Sequence, residues 1–247
     1  MFRVVCLAFL CAFLFGCATS KPDVSVEASA KEGVSVMERD SLRAKFVLTL
    51  AGENGKNQEF DAVLFSVPGK RYRLELTGPM GIGVASLLWQ ESGWLMVFPT
   101  EKMYAKGVGE MVGILNEPAL PVVPIHQVAS IFEGVIVPES FEKVSEADSA
   151  GHRVILGKAR NGMVFSYGEE NGHVAWLNRI GQDGSRETLK FSDFRTFENV
   201  DTPERILFER DGKFLLSIKI KKVTRKKPFS SGTWRLNLPK SYKPVGE

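Results

Sequence analysis

Few side chains in this sequence have the types and spacing that catalysis or cofactor binding requires. The three histidines, His126, His152 and His173, stand far apart, and no two are spaced like a pair of metal ligands. No G-x-S-x-G elbow and no H-E-x-x-H segment occurs, so neither a serine hydrolase nor a zinc peptidase is expected. Gly78, Gly81 and Gly83 approximate a phosphate-binding fingerprint, but no strand–helix–strand pattern surrounds them. The expectation is a protein with no catalytic residues, no bound metal and no cofactor. The remaining reactive groups are the thiols of Cys6, Cys11 and Cys17, all at the extreme N-terminus.

Cys17 differs from the other two because it closes an apolar run. Arg3 supplies one positive charge, residues 4–15 are continuously apolar, and the chain turns polar directly after Cys17 and Ala18. This is the pattern of a secretory leader, and about a dozen apolar residues are too few for a membrane-spanning helix. Leu14-Phe15-Gly16-Cys17 resembles the lipobox of bacterial lipoproteins, with leucine three residues and a small residue one residue before the cysteine. The resemblance implies cleavage after Gly16, diacylglycerol on the Cys17 sulfur and acylation of the new amine. Residues 1–16 are then a signal peptide. Residues 17–35, small and polar without a period, form a lipidated, flexible tether to a folded domain at 36–247. The mature chain would keep only Cys17, so its fold must hold without a disulfide. Ala18 is not the aspartate that retains lipoproteins at the inner membrane, so the expected location is the periplasmic face of the bacterial outer membrane.

The formal charge of +3 on 247 residues falls to +2 without Arg3, too balanced for a nucleic-acid partner. Lys219, Lys221, Lys222, Arg225, Lys226 and Lys227 are a local exception. They read either as a solvated strand face ending in a basic turn or as a contact for anionic lipid headgroups. With 44% hydrophobic residues the chain can bury a substantial core.

The elements are mostly of period two. In 42–50 the even positions are apolar and the odd ones mostly polar, as in a strand buried on one face. Strands are also expected at 58–67, 72–76, 82–90, 93–99 and 102–106, then at 152–157, 162–168, 173–180, 186–192, 204–210, 213–223 and 233–238. The turn signals RNG, ENG, QDG and RDG mark hairpins in the second group. A short helix is expected over VSVMERDS. Met111, Val112, Leu115, Val128, Ile131 and Phe132 fall at helical spacing, in a segment that Pro118, Pro121 and Pro124 divide into short helices. Trp89 and Trp234 lie in strand patterns and are expected to face inward, with Trp94 nearer the rim.

A long meander of strands with one apolar face must close, pair with a second sheet or be covered. The helices are the available cover, and a curved sheet roofed by them leaves an apolar space suited to an acyl chain. The expected fold class is mainly β (α+β), an open antiparallel half-barrel of about eleven strands with a short helical lid. Phe46, Leu48, Leu74, Leu76 and Trp89 are the expected lining of its hydrophobic cavity.

Two stretches carry a family resemblance. YRLELTGPMGIGVASLLWQESGWLMVFPTEKMYAKG followed by LPVVPIHQVASIFEG, and the C-terminal PERILFERDGKFLLSIKIKKVTRKKPFSSGTWRLNLP, resemble the LolB branch of the LolA/LolB lipoprotein-localisation superfamily. The resemblance implies an incomplete barrel that holds acyl chains. It also implies lipoproteins as cargo, a periplasmic LolA-like carrier as donor, and insertion into the outer membrane by a monomer. It places a membrane-inserting residue at the tip of the turn between the third and fourth strands, here Met80 within Gly78-Pro79-Met80-Gly81. Two other readings stay open at this level: a carrier of another envelope lipid or glycolipid, and an anchored interaction module without a small ligand.

Overall fold

The alternation in 42–50 forms β1 (Leu42–Leu50), whose side chains are buried and exposed by turns along its whole length. Leu42, Ala44, Phe46, Leu48 and Leu50 occupy the buried face, and Arg43 and Lys45 the exposed one. The computed structural model describes residues 41–52, 55–109, 111–113, 122–138, 140–149, 152–160, 162–181, 184–225 and 228–245. Cys17, the tether and nearly all of the expected VSVMERDS helix lie outside these residues.

From β1 the chain meanders through β2 (Gln58–Val67), β3 (Arg71–Thr77), β4 (Gly83–Gln90), β5 (Gly93–Phe98) and β6 (Met103–Gly107). β7 (Met111–Gly113) and β8 (Val122–Pro124) pair as a separate two-stranded ribbon. Helix α1 (Ile125–Phe132) starts directly after Pro124, which cannot sit inside a helix. A second meander follows: β9 (Phe141–Ser149), β10 (His152–Ala159), β11 (Val164–Glu170), β12 (His173–Ile180), β13 (Arg186–Phe197), β14 (Val200–Arg210) and β15 (Lys213–Arg225). β16 (Lys243–Pro244) ends the described fold.

Fourteen strands form one sheet, ordered β16-β6-β5-β4-β3-β2-β1-β15-β14-β13-β12-β11-β10-β9. Long-range pairing of β1 with β15 joins the two meanders into one surface, and all pairs are antiparallel except β16 with β6. The Asn171-Gly172 and Asp211-Gly212 turns have positive φ at both residues, as two-residue hairpins of right-handed strands require. The mainly β fold with one short helix over an open sheet agrees with the sequence expectation, although the main sheet has fourteen strands rather than about eleven.

Three local expectations are corrected. Met111 and Val112 belong to β7 instead of a helix, because the segment pairs with Val122–Pro124. β9 carries Glu142, Lys143, Glu146 and Asp148, without the apolar alternation that reveals a strand in sequence. Residues 233–238 make no strand. Ser231–Trp234 is a 3-10 turn, and Trp234 is buried against Val67 and Leu88 on the convex face of the sheet, away from the main core. Arg73 fixes this crossing by donating from Nη1 to the carbonyls of Thr233 at 2.8 Å and Arg235 at 2.9 Å. Phe229 packs edge-on against Phe65, and the Arg71 guanidinium lies 4.5 Å from the Trp234 ring.

Candidate functional site

The concave face of β1–β5 is largely apolar; Ser66 at the end of β2 interrupts it, and its buried hydroxyl donates to the Glu133 carboxylate just past α1 at 3.1 Å. Phe46, Leu48, Leu74, Leu76 and Trp89 all lie on it, in one buried cluster with Ala62, Leu64, Leu87 and Met96. Ile125, Ala129 and Phe132 of α1 complete the same cluster, and the Phe132 ring lies 5.0 Å from that of Phe46. All five residues expected to line a cavity are buried in the cluster that α1 completes, and a helix, not a cavity, lies before Phe46. Trp89 is held further by donating from Nε1 to the Gly109 carbonyl at 2.7 Å.

Both ends of α1 are tied to the sheet. At its C-terminus Gly134 takes φ +85, and the Val135 and Gly134 amides donate to the carbonyls of Ser130 and Ile131, a Schellman motif. The Arg225 guanidinium donates to the last helical carbonyl, that of Phe132, at 2.8 Å, a favourable place for a cation. Burial pushes the Arg225 pKa below its ordinary value, opposed by the charges of Glu133 and Glu198. Nearer the N-terminus, Arg179 donates from Nη1 to the Gln127 side-chain oxygen at 3.3 Å. Arg179 is itself fixed by Glu187 at 2.6 Å, and Arg210 holds the other oxygen of that buried carboxylate at 3.0 Å. Polar anchors therefore hold a helix whose apolar face plugs the sheet.

Beyond the helix C-terminus the concavity is not filled. A cavity of about 510 Å³ opens between the segment Gly134–Pro138 and the strands β9, β11, β12, β13 and β14. This lies within the range of ~300–1,000 Å³ typical of small-molecule sites. Ile136, Val137, Phe141, Val174 and Phe194 supply apolar walls, and Tyr167, Glu169, His173 and Asp201 supply polar groups. His173 stacks on Phe194 with ring centroids 4.2 Å apart. Burial, then the charge of Glu169, raises the Tyr167 pKa above its ordinary value, so its hydroxyl stays protonated near neutrality. The aromatic floor needs Gly157: a Cβ there would lie 2.7 Å from carbons of both Phe141 and Phe165. None of the five residues expected as cavity lining borders this space. Sequence reading missed residues 135–138 because an irregular segment has no period, whereas the alternation Phe165-Ser-Tyr167 was available as a signal.

Met80 sits between β3 and β4, as the strand count placed it. It is 92% exposed, and Ile82 beside it is 49% exposed. The tip is tightly built: the Gly78 amide donates to the Ile82 carbonyl at 2.8 Å, and Met80 takes φ 60, ψ 18. That left-handed conformation is uncommon for a residue other than glycine. Among the described residues no group of three or more His, Cys, Asp or Glu side chains could hold a metal ion, and no helix is long and apolar enough to cross a membrane.

Neither a protein-family model nor a curated protein sequence matches the chain. Solved structures do. A LolA-superfamily protein from Nitrosomonas europaea matches with a TM-score of 0.55 at 11% identity, over 79% of this chain and 90% of that one. A putative outer membrane lipoprotein-sorting protein domain from Vibrio parahaemolyticus also matches with a TM-score of 0.55, at 8% identity over 79% and 89%. A DUF1329-family protein from Desulfovibrio piger gives 0.52 at 12% identity over 79% and 90%. At these identities the likeness is one of architecture, and the chain has the open half-barrel fold found in the LolA superfamily.

Proposed function

We propose that this protein is a LolB-like member of the LolA/LolB superfamily that binds acyl chains, or the acylated anchors of lipoproteins, and passes them to the outer membrane. The observation that carries the reading is the largely apolar concave face roofed by the eight-residue helix α1, with a cavity continuing past the helix C-terminus. Each acyl CH₂ removed from water contributes about 0.8 kcal/mol, so a chain of ordinary length binds by burial alone. No step of bond making is needed, and the protein acts as a binding protein and not as an enzyme. A longer chain would displace α1, which the Gln127 and Phe132 contacts return to its seat. On this reading Cys17 carries the lipid that holds the protein at the periplasmic face of the outer membrane. A LolA-like carrier delivers the cargo, and Met80 with Ile82 enters the bilayer during transfer. The protein works as a monomer and has no nucleic-acid partner.

The polar groups Glu169, His173 and Asp201 at the cavity favour a second reading, a carrier for an envelope lipid or glycolipid whose head group they would meet. One experiment separates these from an anchored interaction module that binds nothing small. Lipids extracted from the purified mature chain are identified by mass spectrometry, and a fluorescent fatty acid is titrated into it and into Ile136→Trp. Acylated peptides or phospholipids in the extract, with probe binding weakened at least about tenfold by filling the cavity, support acyl carriage. Glycolipid supports the second reading. A clean extract with no probe binding overturns both.

A further inference from the structure

We propose that the convex face of β1 and β15 binds the phosphates of an anionic bilayer surface. Arg43 and Lys45 of β1, Lys219, Lys221 and Lys222 of β15 and Arg205 of β14 are all exposed on neighbouring hydrogen-bonded strands. The register places like charges opposite one another, Lys45 facing Lys222 and Lys219 facing Arg205. Directly opposed like charges weaken a sheet, so the arrangement is costly unless an anion lies over it. A bulge opposite Lys45 and Phe46 turns both Lys221 and Lys222 outward, between the buried Ile220 and Val223. Two of the six cations have carboxylate partners: Lys221 bonds Asp61 at 3.0 Å, and Arg205 bonds Asp193 at 2.8 Å. Among the described residues no carboxylate bonds Lys45, Lys219 or Lys222. Arg225, part of the same basic run in sequence, is spent inside the fold on the helix terminus.

The occupant follows from where the chain begins. β1 starts at Leu42, and Ser41 stands 24 positions after Cys17. As the tether expected from sequence, that length would span about 27 Å on average. An acylated Cys17 would keep Arg43 and Lys45 within that distance of a bilayer, where basic residues gain from negative headgroups and lose that gain as salt rises. This choice of occupant rests on the lipid anchor proposed above; the basic face does not. It is a different surface from the Met80 tip and from the concave cavity.

The test uses the mature chain with Cys17→Ser, so that no acyl anchor contributes. Co-sedimentation is measured with phosphatidylglycerol–phosphatidylcholine vesicles and with pure phosphatidylcholine vesicles, at low and high salt. The expected result is binding to the anionic vesicles only, abolished by high salt, and weakened on the order of a hundredfold in Lys45→Glu/Lys219→Glu/Lys222→Glu. The triple glutamine variant should give a smaller loss in the same direction. Melting temperature should not fall below the parent's in either variant, since both relieve the repulsion between Lys219 and Arg205, and fatty-acid binding should match the parent. Absence of vesicle binding, equal binding by the triple variants, or stronger binding to polyglutamate than to vesicles overturns the proposal. Fatty-acid binding, read in parallel, reports separately on acyl carriage.

Discussion

The two halves of the sheet solve the same burial problem differently. In β1–β5 the concave positions are apolar but for Ser66, which bonds Glu133 just past α1, and they lie under that helix, while the C-terminal crossing covers part of the convex side with Phe229 and Trp234. In β9–β14 apolar side chains such as Phe165, Leu177 and Phe191 share the sheet with Glu187, Arg179 and Glu169, and space is left open beside them. The contrast separates two duties. One half is filled and covered; the other leaves a cavity open, which on the reading proposed above takes the acyl cargo.

If that division holds, equal truncations should have unequal costs. Phe132→Ala removes a fully buried ring from the filled half and should lower stability by about 3–5 kcal/mol in urea denaturation. Phe194→Ala, on the cavity wall, should cost under about half as much and change fatty-acid affinity instead. Equal costs for the two would erase the distinction between the halves. Trp234→Ala should come next, at about 3 kcal/mol, because it uncovers Val67 and Leu88. Limited proteolysis should then cut first after β15, and a cut first in α1 would show that the crossing is not a separate layer. Met80→Gly should leave stability unchanged or raise it by up to about 1 kcal/mol, since glycine accepts the left-handed turn without strain. The same variant should transfer bound lipoprotein to liposomes more slowly than the parent; unimpaired transfer would remove the membrane-entering role of this tip.

The smallest effect concerns the far edge. Hydrogen bonds from Arg153 and Lys143 hold the Glu146 carboxyl down at a pKa of about 2, against an ordinary 4.5. A depressed carboxyl contributes stability that is present above its unfolded value and is lost as pH falls from about 4.5 towards 2. The group lies on the exposed edge strand, so the change should be confined to local amide exchange in β9 and β10 across that window. Loss of the whole fold there would mean that the edge is not peripheral.

What the sequence made legible follows the physics of each element. The alternation in β1 and the Asn-Gly and Asp-Gly turns encode local geometry directly, and the structure shows strands and hairpins there. β9 is an edge with little to bury, so it has no alternation to read. Trp234 has the spacing of a strand residue, but its partners lie on β2 and β4 and only tertiary packing reveals them. The concave direction of Phe46, Leu48, Leu74, Leu76 and Trp89 could be read from period two. Whether the space before them holds a ligand or a helix could not, because α1 reaches it from outside the meander. The exposed Met80 tip was readable because proline and glycine on either side leave its side chain no route inward.

The parallel addition of Lys243–Pro244 to β6 has a consequence for assembly. Through the Lys243 and Val245 amides, which donate to the carbonyls of Lys102 and Tyr104, the C-terminal segment occupies one margin of the fourteen-stranded sheet. A sheet with two free margins can add copies at both and grow into a filament. With Met103 and Tyr104 covered, the longest free margin among the described residues is β9, and two copies joined there about a two-fold axis would use it up. The charges of Glu142, Lys143, Glu146 and Asp148 oppose even that pairing. A two-residue strand thus leaves only Ala105–Gly107 of the other margin open, a short template for further pairing.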